Sequence, residues 1–89
     1  MNESSIPSFN PLFRFQWEKA QDCYVLLYPE GMIKLNPSAG EILALVDGKR
    51  TLGEITTQLE RKFPDAGTLG DDVREFIGVA HEQNWIRLQ

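Results

Sequence analysis

The residues able to do chemistry are few and scattered along the chain. It has 89 residues with a single histidine, His81, and a single cysteine, Cys23. Acid–base and nucleophilic catalysis both need convergent titratable groups, and the apolar pattern places no carboxylate pair inside a core. His81 falls about 80° from Val73 around its helix, at the margin of the apolar face, and reads as a rim or surface residue. No Cys-x-x-Cys or His-x-x-x-His spacing exists, so a metal site lacks its ligands. The seven glycines occur singly at turns and helix ends, never as a phosphate-cradling loop. The chemistry left to such a chain is recognition through backbone groups and apolar pockets, with no cofactor, no metal and no catalysis of its own.

The elements that would present those groups can be read from periodicity. From Leu12 to Glu18, Phe13, Phe15 and Trp17 alternate with Arg14, Gln16 and Glu18, the pattern of a half-buried strand. Cys23 to Tyr28 is apolar at both parities, as expected of a central strand covered on both faces. Tyr28-Pro29-Glu30-Gly31 is a tight-turn sequence, which folds Met32 to Leu35 back as a short antiparallel third strand at an edge. Such an edge leaves outward N–H and C=O groups unpaired, and these are either guarded by charge or used to recruit another strand.

Three helices follow. Asn36 or Ser38 caps the first, whose apolar positions Ile42, Leu45 and Val46 lead to a left-handed exit at Asp47-Gly48. Thr51-Leu52-Gly53-Glu54 is a capping box, and Leu52, Ile55, Leu59 and Phe63 line one helical face until Pro64 stops it. Thr68-Leu69-Gly70-Asp71 predicts a similar start for the third helix, with Leu69, Val73, Phe76, Ile77 and Ala80 facing the core and Asn84 as the stop. Trp85 to Leu88 is too short to assign. The class is α+β and winged helix-turn-helix-like: a three-stranded antiparallel sheet followed by three helices.

Composition narrows the partners. At this length one modest core is expected, in a single domain over residues 12–89 preceded by a flexible polar arm over residues 1–11. Nine basic and thirteen acidic residues give a formal charge of −4, which disfavours nucleic acid and anionic membranes. The longest apolar runs are far short of the roughly 20 residues that span a bilayer. A lone cysteine in an apolar run fits a reducing, cytoplasmic location. A winged-helix DNA- or protein-binding regulator is the rival reading. Its groove helix would present Asp71, Asp72, Glu75 and Glu82 to phosphates, with Arg74 the one basic residue of that face.

The surface that remains is the third strand with the neighbouring flank of the third helix. Counting Val79, the apolar arc of that helix spans about 160°, wider than the roughly 100° that a small core demands. The excess either lines a groove or packs against two helices and the sheet. Arg74 either meets a ligand or pairs with Asp71 on a solvated face.

Val25-Leu26-Leu27-Tyr28-Pro29-Glu30-Gly31-Met32-Ile33-Lys34-Leu35-Asn36-Pro37-Ser38-Ala39, continuing into Glu41-Ile42-Leu43 and Asp47-Gly48, resembles the PqqD family of pyrroloquinoline quinone biosynthesis. Phe15-Gln16-Trp17-Glu18, the helix start from Thr51 to Ile55, and Asn84-Trp85-Ile86 are similar to it too. The resemblance implies a RiPP recognition element, a domain that captures leader segments of ribosomally made, modified peptides. It implies a chaperone that binds the precursor peptide PqqA and presents it to the radical S-adenosylmethionine enzyme PqqE. In that family the leader adds to the third strand and packs on the third helix. Met32, Ile33, Lys34 and Leu35 would then supply backbone bonds, and Val73, Arg74 and Ile77 side-chain contacts. A recognition domain of another peptide-modifying pathway is the nearest alternative. The acidic face of helices two and three, or helix one, is a candidate surface for the enzyme.

Overall fold

The computed structural model describes residues 1–89. Its elements in order are β1 (Pro7–Phe9), β2 (Arg14–Glu18), β3 (Cys23–Tyr28), β4 (Gly31–Lys34), α1 (Pro37–Leu43), α2 (Leu52–Lys62), a 3-10 turn (Pro64–Ala66), α3 (Gly70–Glu82) and β5 (Ile86–Leu88). β2, β3 and β4 form an antiparallel sheet in that order, with Phe15 opposite Leu26 and Leu26 opposite Ile33. The expected α+β order of three strands and then three helices is what the chain adopts.

One face of this sheet carries the core. Leu26 is fully buried, and Phe15, Tyr24 and Ile33 pack beside it against the helices. Phe15 stacks on Tyr24 with ring centroids 4.7 Å apart. Each fully buried leucine or isoleucine, such as Leu26, Leu43, Leu52, Ile55 and Ile77, contributes about 1.5–3 kcal/mol. The expectation that β3 is covered on both faces holds only at its centre. Alternation turns Cys23, Val25 and Leu27 to the face away from the helices, where Val25 is fully buried between Gln16 and Lys34 of the flanking strands while Cys23 and Leu27 are only half-buried.

Local chemistry sets the helix ends. The Asn36 side chain accepts from the Ala39 N–H at 2.8 Å and so is the cap of α1. α1 runs closely over β3: a Cβ added at Gly40 would lie 2.7 Å from a Tyr24 ring carbon. α1 ends at Leu43, earlier than expected, and the left-handed residue Gly48 (φ 77°) comes after a looser turn. At Thr51 the capping box forms, its hydroxyl accepting from the Glu54 N–H and the Glu54 carboxylate accepting from the Thr51 N–H. α3 lacks the expected box at Thr68. The helix begins one residue later, with Leu69 at the cap position and no side-chain cap, and the Leu69 N–H donates to the Glu60 carboxylate from α2 at 2.8 Å. Asn84 takes φ 64° and stops α3, with the Trp85 N–H closing back on the Ala80 carbonyl.

The flexible arm expected over residues 1–11 is a correction as well. Pro7, Ser8 and Phe9 pair antiparallel with Leu88, Arg87 and Ile86. Pro7 is fully buried, and Phe9 stacks on Phe15 at 5.5 Å. The carbonyls of Ser5 and Glu3 accept the N–H groups of Leu52 and Gly53, two of the otherwise unpaired donors at the start of α2. A polar segment with two prolines is thus held by a strand partner nearly the whole chain away.

Candidate peptide-binding site

β4 has β3 on one side and no strand on the other. The Leu35 N–H donates to the Tyr24 carbonyl at 3.0 Å, which fixes the parity. Gly31, Ile33 and Leu35 direct their backbone groups to β3, while Met32 and Lys34 direct theirs outward. Of the four predicted strand residues, Met32 and Lys34 are therefore the ones with N–H and C=O groups free for another chain. Both are exposed, Met32 at 40%. Leu35 is buried in the core and Ile33 packs against it.

Where β4 runs into α1, a groove of about 700 Å³ opens between the N-terminal turn of α1 and α3. Asn36, Pro37 and Ser38 form one wall, Asp72, Phe76 and Val79 of α3 the other, and Leu59 and Phe63 of α2 close one end. Val79 and Phe63 are apolar side chains left 44% and 39% exposed. α3 has room for this because its apolar arc does two jobs: Val73, Ile77 and Ala80 are buried, while Leu69, Phe76 and Val79 border the groove.

The three predicted α3 residues thus fall in three different places. Val73 is 1% exposed but lies in the groove wall, and Ile77 is wholly within the core. Arg74 is on the opposite flank, about 160° around the helix from Phe76. Its guanidinium donates to the carboxylates of Asp71 and Glu3, the latter at 2.6 Å. These bonds, Asp71 first, hold its pKa above the ordinary arginine range. Phe76 and Val79 were absent from the predicted site residues, although the width of the apolar arc carried the signal for them.

The charged rim is partly neutralised. Lys62 reaches Glu41 at 2.6 Å, and that bond raises the lysine pKa. Asp72 and Glu75, which also line the groove, have no ion-pair partner. No three His, Cys, Asp or Glu side chains converge as a metal-binding group, and His81 is exposed on α3. What the arrangement offers is a row of directional backbone groups beside an apolar trough. No helix is long and apolar enough to cross a membrane.

A family model described as Coenzyme PQQ synthesis protein D matches residues 23–86, from β3 to the start of β5. The chain belongs to the PqqD family. It is 55% identical to the PqqA binding protein of Pseudomonas aeruginosa over 85 residues, covering 96% of this chain and 92% of that one. It is 54% identical over 87 residues to the PqqA binding protein of Kluyvera intermedia, covering 98% and 95%. Its fold matches the solution structure of the PqqD truncation of Methylobacterium extorquens PqqCD, described as a functional and stand-alone RiPP recognition element. The TM-score is 0.72 at 22% identity, with 92% of this chain and 88% of that one covered. The PqqD fold therefore persists at an identity where few side chains are shared, as expected when backbone patterning rather than one set of core residues sets the architecture.

Proposed function

We propose that this protein binds the leader of the precursor peptide PqqA as a strand added to β4 and presents it to the radical enzyme PqqE. It performs no catalysis itself, and it acts in the cytoplasm, where its lone thiol Cys23 stays reduced. The observation that carries the reading is the outward backbone of Met32 and Lys34 on an edge strand whose chain runs on into Asn36, the first residue of the groove walled by Phe76 and Val79. Relatives at about 55% identity bear the name PqqA binding protein, which supports this choice of peptide.

Strand addition suits a disordered leader. Main-chain bonds to Met32 and Lys34 give affinity without regard to sequence, and pockets for alternate side chains choose the register. Val73, Phe76 and Val79 form the pocket in this reading. Ile33, Leu35 and Ile77 support it from the core, and Arg74 fixes the far flank of α3 through Glu3. Ordering the leader offsets several kcal/mol of contact energy, so a Kd of about 1 μM is expected.

Calorimetric titration with synthetic PqqA tests this. Lys34→Pro removes one outward donor, and proline is tolerated at a strand edge. Micromolar binding by the wild type and its loss in a folded Lys34→Pro variant are expected. Absence of binding at high micromolar peptide, with or without PqqE, would overturn the reading.

A further inference from the structure

Carboxylates of the helices and of the N-terminal segment differ in what they already do. Glu41 is bonded to Lys62, and Asp71 and Glu3 share Arg74. Glu60 accepts the Leu69 N–H, and Glu54 closes the cap at Thr51. Asp72 and Glu75 do neither, and both line the groove alongside Phe76. Asp72 and Glu75 thus border the same trough as Val79, a large apolar side chain left 44% exposed. These two exposed like charges lie one turn apart on the same helix with no cationic partner, and a cation of the ligand would supply one.

We infer that the groove selects a peptide segment in which a large apolar side chain is accompanied, two positions along, by lysine or arginine, with Asp72 and Glu75 as the specificity-determining residues. The inference rests on the proposed strand addition at β4. Side chains two positions apart on a strand share a face and are about 6.8 Å apart. Asp72 and Phe76 are one helical turn apart, about 6 Å along α3. An added strand that runs along α3 and lowers one side chain onto Phe76 and Val79 would bring its same-face neighbour to the level of Asp72. The aliphatic stem of that lysine or arginine lies along the apolar wall while its cationic head meets the carboxylates at the rim. An acidic residue at that position is rejected, which supplies discrimination that main-chain bonds cannot give.

The test titrates synthetic PqqA, by calorimetry, into the wild type and into Asp72→Asn/Glu75→Gln, at about 0.05 M and about 0.5 M salt. The expected result is a five- to tenfold weaker Kd for the double variant at low salt, about what two partly exposed charge pairs provide, with most of that difference gone at high salt. In a second arm, Asp72→Lys with a peptide whose basic residue is replaced by glutamate recovers binding that either change alone weakens. Equal affinities and equal salt dependence for wild type and double variant overturn the inference while leaving strand capture intact. Unchanged peptide binding with loss of PqqE binding overturns it too, assigning the two carboxylates to the enzyme. If wild-type protein fails to bind PqqA at all, capture and selection fall together.

Discussion

The two flanks of α3 are treated in opposite ways. Along Arg74 and Gly78 the helix is covered by the N-terminal segment: Glu3 bonds Arg74, and the Met1 side chain comes within 3.8 Å of a Cβ built at Gly78. Along Asp72, Phe76 and Val79 nothing covers it, although that side is the more apolar. A small domain with enough chain to close one side has left the greasier side open. In the sheets, β1 and β5 are paired with each other, while β4, like β2 at the other side of its sheet, keeps an edge without a strand partner. The chain passes from the open strand directly into Asn36 at the wall of the open groove, and an exposed edge with an apolar surface is what recognition by strand addition requires.

The largest expected effect comes from uncovering the closed flank. Deleting residues 1–9 removes β1, the buried Pro7 and the Phe9 stack on Phe15, and a loss of about 3 kcal/mol or more in urea unfolding is expected. An unchanged urea midpoint would show that the segment is not part of the domain. Next is Gly40→Val, which drives a side chain into the Tyr24 ring. Overpacking there lowers stability by about 1–3 kcal/mol, read as a shifted midpoint at constant slope.

On the open flank the sign of the contrast changes. Val79→Asn leaves stability within about 0.5 kcal/mol of wild type yet weakens PqqA binding roughly three- to tenfold by removing a half-exposed groove contact. Equal losses of stability and affinity would instead make Val79 a core residue. The smallest effect belongs far from both flanks. Asp47 has its carboxyl pKa held below 3.8 by the N–H groups of Arg50 and Lys49. Its contribution is fully present above that value and fades as pH falls through the lower folded-state pKa. Asp47→Asn keeps the accepting oxygen and is expected to flatten slightly the acid limb of a stability-versus-pH curve, with no change at pH 7.

Much of this contrast was legible in the residues. Alternation placed β2, the Pro29-Glu30 turn placed β4 at an edge, and Thr51 and Asn84 marked the helix ends where the structure has them. The closed flank was not legible. Pro7–Phe9 and Ile86–Leu88 are three residues each, too short for periodicity, and their stability lies in a partner at the far end of the chain. Thr68 misled for a similar reason: the start of α3 is held by Glu60 of another helix, which accepts the Leu69 N–H, and the helix begins one residue later than a Thr68 cap would place it. On α3 the arc was wide enough to announce both a core and a groove. Periodicity alone does not say which of its residues, Val73 and Ile77 or Phe76 and Val79, belong to which, because that depends on where α1 and the sheet come to rest.

The pairing of β1 with β5 also governs how this domain joins to other polypeptides. Ile6 and Gln89 exchange backbone hydrogen bonds in both directions, so entry and exit of the chain lie side by side. A short linker between them would close a ring, and a cut at the exposed Asp65–Gly67 turn would give new ends without touching β4 or α3. By the same geometry the unit can be spliced into the surface loop of another protein with the outer edge of β4 still facing outward.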